Sequence, residues 1–169
     1  MQITRRSALA LLAGAIPLMT AGPSQAAGTT INVSLWDRGE NAMMELDPAK
    51  PLGMGMMKGA MPMGPMGITV DTTSVPAGEI TFRATNDSKV MVHEMVVSPV
   101  PANNAPLPYI ASEEKVDEDE AGHVGEVAEL EPGKAGALTI TLKPGTYILY
   151  CNIPGHYVLG MWTLVTVTG

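Results

Sequence analysis

Apolar and polar side chains alternate with a period of two through much of the chain after residue 29. Ile31, Val33 and Leu35 alternate with polar neighbours over Thr30 to Trp36, and Ile80, Phe82 and Ala84 alternate with Thr81, Arg83 and Thr85 over Glu79 to Asn86. Successive side chains of an extended strand point to opposite faces, so each pattern predicts a strand with one buried face. Shorter runs at Ile68 to Thr72, Val90 to Val97, Ala137 to Leu142, Thr146 to Cys151 and Trp162 to Val167 read the same way. Turn-forming residues separate them, among them Asn86-Asp87-Ser88-Lys89 and Lys143-Pro144-Gly145. The first of these turns predicts a hairpin joining Glu79–Asn86 to the Val90–Val97 strand. About seven or eight short strands with turns between them predict an all-β fold, an antiparallel Greek-key β-sandwich.

The N-terminus breaks this pattern. Paired Arg5 and Arg6, an apolar run from Ala8 to Met19, and the small-residue stretch Ser24-Gln25-Ala26 read as an export signal over residues 1–26. The apolar run is shorter than the about 20 residues a membrane span needs, so no stable membrane insertion is expected. The arginine pair points to the twin-arginine route and to the periplasm. Residues 27–169 then form a single domain, long enough to bury its own core. Loss of Arg5 and Arg6 makes the formal charge two units more negative than the −7 of the whole chain. Such a surface is a poor partner for nucleic acid or anionic lipid.

The chain has one cysteine. Exported proteins usually pair their cysteines in disulfides, so a lone thiol needs another role. Cys151 opens the stretch Cys151-Asn152-Ile153-Pro154-Gly155-His156-Tyr157-Val158-Leu159-Gly160-Met161, which places thiolate, imidazole and thioether at C-x4-H-x4-M spacing in a Pro-Gly turn. This is a mononuclear copper pattern: a soft thiolate, imidazole, and a weak axial thioether build the His2Cys trigonal site of blue-copper proteins. A second histidine is required. His93 lies within an apolar strand pattern, whereas His123 stands beside Gly122 after an acidic run and is the weaker reserve. In the strand before the loop, Tyr147 and Leu149 share a face with Cys151, which predicts an inward-facing sulfur.

At His93, at Tyr150 to His156 and at Gly160-Met161 the chain resembles the cupredoxins, in particular the small single-domain blue-copper proteins with a ligand loop of the rusticyanin and sulfocyanin type. The resemblance covers roughly Gly67 to Val167 and implies a cupredoxin-like sandwich holding one type 1 copper. It also implies that His93, Cys151 and His156 are equatorial ligands and that Met161 is the axial one. Where many members have Asn after the first histidine, this chain has Glu94. Multicopper oxidases and nitrite reductases carry His-x-His or His-Cys-His arrangements, which are absent here, and a binuclear centre needs a second cysteine. No nucleophile, base and orienting residue form a hydrolytic motif. The expectation is an electron-transport protein and not an enzyme.

Two irregular segments add to this. The Met-rich loop, residues 43–66, holds six methionines between Met54 and Met66, with Met43 and Met44 upstream. Its glycines and prolines disfavour helix and central strand, so its thioethers are expected at a surface, where they could bind additional Cu(I). Some periplasmic copper-tolerance cupredoxins are similar in having ligand-rich N-terminal segments. The acidic loop, residues 112–131, reads as a solvated face or as a docking patch for a basic redox partner. Two functions follow. One is a one-electron carrier serving a redox protein such as a cytochrome or copper enzyme, with Pro154, Tyr157, Val158 and Leu159 forming an apolar contact around His156. The alternative is copper tolerance, sequestration or delivery through the methionine-rich segment.

Overall fold

A computed structural model describes residues 28–57 and 63–169. The export signal read over residues 1–26 lies outside the described residues, as do residues 58–62 of the methionine-rich stretch. The longest strands form where alternation is cleanest, at β1 (Thr29–Asp37), β4 (Gly78–Asn86) and β9 (Ala135–Leu142), and the chain ends in β10 (Gly145–Tyr150) and β11 (Trp162–Thr168). Between them lie β2 (Met66–Val70), β3 (Ser74–Pro76), β5 (His93–Pro99), β6 (Tyr109–Ile110), β7 (Lys115–Val116) and β8 (Gly125–Leu130). One sheet runs β2-β1-β4-β9 and the other β3-β11-β10-β5-β8, with β6 and β7 paired apart. The all-β sandwich expected from periodicity is the observed architecture. It is mixed and not wholly antiparallel, because β1 pairs parallel to β4 and β11 parallel to β3.

The predicted hairpin does not form. β4 belongs to the four-stranded sheet and β5 to the five-stranded sheet, so the Asn86–Lys89 turn carries the chain across the sandwich. Buried Asn86 builds this corner: its amide donates to the carbonyls of Met91 (2.8 Å) and Leu130 (2.7 Å), and its side-chain oxygen accepts the Ser88 N–H (2.9 Å). The Ser88 hydroxyl accepts the N–H groups of Val90 and Met91, at 3.1 and 2.9 Å. Those donors are thereby withdrawn from a ladder, and the strand starts at His93 instead of Val90.

Ile31, Val33, Leu35, Ile80, Phe82 and Ala84 of one sheet pack against Met95, Val97, Leu149 and Val165 of the other, together with Cys151 and Met161. Each large apolar side chain so buried contributes about 1.5–3 kcal/mol. The outer face of the five-stranded sheet is buried too, by a second cluster that joins Val96, Ile148 and Tyr150 to Met54, Leu107, Val116, Tyr157 and Val158. Period-two reasoning does not foresee this cover, since the segment around Leu107 and Val116 has no regular alternation. The stretch read as an acidic loop contains β7 and β8. In β8 only Val127 is buried, and the strand occupies the sheet edge, with Glu126 and Glu129 exposed as charged edge residues commonly are. Among the described residues no helix is long and apolar enough to cross a membrane.

Candidate metal centre

The centre lies at the end of the sandwich where β5 starts and β10 ends. His93 is the first residue of β5, and Cys151 follows the last residue of β10. From Cys151 the chain passes through a 3-10 turn at Tyr157–Leu159 and returns as β11. Backbone hydrogen bonds set this loop: Cys151 N–H donates to Met161 C=O (3.1 Å), Met161 N–H to His156 C=O (3.1 Å), and His156 N–H to Ile153 C=O (3.0 Å). Gly160, at φ +93°, ends the 3-10 turn in the left-handed region, which costs a glycine little and lets the chain re-enter the sheet at Met161. Cys151 faces inward with Leu149, as the alternation predicted.

Three donor atoms converge. His93 Nδ1 lies 3.2 Å from His156 Nδ1, and Cys151 Sγ lies 3.3 Å from the same nitrogen. The nearest donor atoms of the three residues all fall within 4.8 Å of one another. Donors held 2.0–2.3 Å from a central ion in a trigonal plane sit roughly 3.5–3.8 Å apart, so the spacing fits one small cation. His93, Cys151 and Met161 are fully buried, and His156 keeps 4% of its surface. Met161 lies in the same core cluster as Cys151. His123 is exposed in the turn before β8 and does not join the group.

Burial governs the protonation states. It pushes His156 down to about 4, with neighbouring His93 adding to the effect. His93 is lowered as well, burial outweighing the opposing pull of Asp37. The Cys151 thiol is pushed up to about 12 by burial, despite the Glu94 N–H directed at its sulfur at 3.5 Å. Without metal the donors are thus a thiol and two neutral imidazoles. A cation that takes the site displaces the thiol proton, and metals that bind sulfur strongly are favoured for it. Glu94 is raised to about 7 by burial, with the Glu118 carboxylate adding to the shift.

Sequence reasoning missed two residues. Asp37 Oδ2 accepts a hydrogen bond from His93 Nε2 at 2.8 Å, across 56 positions of sequence that no local spacing links. Asn152, beside Cys151, accepts the Val116 N–H at 2.7 Å and donates to the Val116 carbonyl at 3.0 Å and to Glu118 Oε1 at 2.7 Å. It ties the ligand loop to β7.

The apolar contact expected around His156 is not a surface. Tyr157, Val158 and Leu159 are buried, and of that group only Pro154 is exposed. The methionine-rich segment covers them: Leu52 N–H donates to Val158 C=O (2.7 Å), Trp162 Nε1–H to Leu52 C=O (2.8 Å), and the Tyr157 hydroxyl to Met54 C=O (3.4 Å). The expectation that its thioethers lie at the surface also fails in part. Met54 and Met66 are 3% and 1% exposed and belong to the core, Met56 packs on its edge, and Met63 is 78% exposed. Unbranched methionine fills irregular gaps that regular elements leave.

A β-sandwich that gathers two imidazoles, one thiolate donor and a neighbouring thioether at one end defines the class of single-site blue-copper folds. The model of the copper binding proteins, plastocyanin/azurin family, matches residues 52–168, and the chain belongs to that family, the cupredoxins. Copper is accordingly its metal. A stretch of 42 residues is 48% identical to auracyanin-B from Chloroflexus aurantiacus (strain ATCC 29366 / DSM 635 / J-10-fl), spanning 24% of this chain and 18% of that relative. Auracyanin B is also similar in fold, with a TM-score of 0.52 at 20% identity over 86% of this chain and 93% of that one. A rusticyanin variant gives a TM-score of 0.50 at 18% identity, over 83% and 79% of the two chains.

Proposed function

We propose that the protein is a one-electron carrier, exported to the periplasm through its twin-arginine segment, with His93, Cys151 and His156 as equatorial copper ligands and Met161 as the axial one. The convergence of His93 Nδ1, Cys151 Sγ and His156 Nδ1 in a buried pocket is the observation that carries this reading. Bound copper supplies a one-electron couple at this position. The chain supplies a fixed donor set: His93 is held by β5, and Cys151, His156 and Met161 by the hydrogen-bonded loop. The two sheets and the methionine-rich segment exclude water from all but the edge of His156. A redox protein is the expected partner.

Copper stoichiometry taken with the visible spectrum tests the reading. One copper per chain with an intense thiolate-to-copper band is expected, and Cys151→Ser should abolish the band, because serine offers no soft anionic sulfur. An intense band that persists in the serine variant would overturn the assignment.

One observation favours a second role in copper tolerance or delivery. The methionine-rich segment lies against the ligand loop and leaves Met63 and, upstream, Met44 exposed at 78% and 83%. Exposed thioethers suit capture of Cu(I).

A further inference from the structure

The carboxylate of Asp37 is buried, its side chain 1% exposed, at the end of β1. It receives two N–H donors, one per oxygen: Oδ1 accepts Gly39 N–H at 2.6 Å and Oδ2 accepts His93 Nε2–H at 2.8 Å. A carboxylate is the side chain of this size whose two oxygens both accept. Because the acceptor is ionised, the His93 proton sits on Nε2, and Nδ1 presents its lone pair to His156 and Cys151. The parallel pairing of β1 with β4 sets Leu35 opposite Asn86, and Asp87 N–H donates to Leu35 C=O at 2.8 Å. The corner leading to His93 is therefore fastened to the end of β1, which brings Asp37 to the ring.

We propose that Asp37 is a positioning residue of the copper centre: its carboxylate fixes the His93 tautomer and ring direction, and its negative charge favours the oxidised over the reduced ion. The inference rests on the reading of His93 as a ligand. Ligand histidines commonly depend on such a partner, whose loss costs roughly 10- to 100-fold in metal affinity. Asparagine is the informative replacement. Its single oxygen cannot serve both donors, so either Gly39 N–H meets an NH2 group or His93 is driven to the Nδ1–H tautomer, which turns a proton toward the metal position.

Nitrogen-15 NMR of the metal-free protein should find His93 protonated at Nε2, with the Nδ1–H form populated in Asp37→Asn. By competition with chelators, Asp37→Asn should bind Cu(II) roughly 10- to 100-fold more weakly. The loss for Cu(I) should be about tenfold smaller than the loss for Cu(II), and that tenfold difference raises the reduction potential by about 59 mV for a one-electron couple. Should the asparagine variant not fold, Asp37→Ala, which removes the acceptors without adding a competing donor, should show mixed tautomers and the same direction of potential. Unchanged tautomer, affinities and potential would overturn the role of Asp37. The two readings separate through His93→Gly: if it keeps full copper and spectrum, the ligand reading itself fails, whereas if it loses them and Asp37→Asn changes nothing, only the positioning role fails.

Discussion

Asn152→Ala isolates the joint between the ligand loop and the outer cover of the sandwich. Asn152 is 2% exposed and closes both the N–H and the C=O of Val116, a residue itself 3% exposed, while also holding Glu118 Oε1. Alanine supplies none of these bonds. Each buried polar group left without a partner costs about 1–3 kcal/mol. Glu118 can turn to water, which leaves the two Val116 groups to set the cost at about 2–6 kcal/mol. With a urea slope of about 2 kcal/mol per molar, the unfolding midpoint should fall by roughly 1–3 M. The titration is best followed by fluorescence of Trp36 and Trp162 in the metal-free protein, since bound metal would add its own linkage stabilisation. Glu118→Gln is the control: its carbonyl oxygen can still accept from Asn152, so its midpoint should stay close to that of the parent. A fall of less than about 0.3 M in Asn152→Ala would refute the reasoning, because it would mean that water or β6 satisfies Val116 without the asparagine.

Two other outcomes follow from the centre and its cover. Met161→Gln should retain copper through His93, Cys151 and His156 but lower the reduction potential, since an oxygen donor favours Cu(II) more than a thioether does; unchanged potential and spectrum would remove Met161 from the ligand set. If the methionine-rich segment captures Cu(I), changing Met44 and Met63 to leucine should remove Cu(I) bound beyond the first equivalent and leave the visible spectrum intact, whereas full stoichiometry in that variant would assign these side chains to contact or packing alone.

The parts of the fold readable from sequence are those with one wet face. β1 and β4 alternate because one side of each meets the core and the other meets solvent, and their limits fall within a residue or so of the expected ones. Periodicity says which side chains share a face, but not which sheet receives the strand. The Asn86–Lys89 turn therefore looked like a hairpin although it crosses between sheets. β5 was ambiguous for a different reason: His93 to Ser98 are all buried, so no alternation marks the inner side. β8 was hidden by its acidic, mostly exposed edge position. At the centre, Cys151, His156 and Met161 were legible because three chemically distinct donors fall within one turn. Asp37 was not, because nothing along the chain marks an aspartate as the partner of a ring on another strand.

Covering the ligand loop changes how the centre meets its surroundings. Tyr157 to Leu159, apolar and next to His156, would form an open contact face if the domain ended at the loop, but the segment around Leu52 and Met54 is bonded to them and buries them. Met43 and Leu46 come close beside Gly155, on the other flank of His156. The ligands are therefore enclosed by the core below and by this segment above, with the donor atoms fixed by backbone geometry before any ion binds. Such preorganisation suits a carrier, because gain and loss of an electron then require little movement of the protein. Pro154 is the exposed residue of the ligand loop beside His156, and the described part of the 43–66 segment covers its neighbours Tyr157 to Leu159. The three converging donors, His93, Cys151 and His156, all come from outside that segment, so substitution of its exposed Met44 and Met63 leaves them in place.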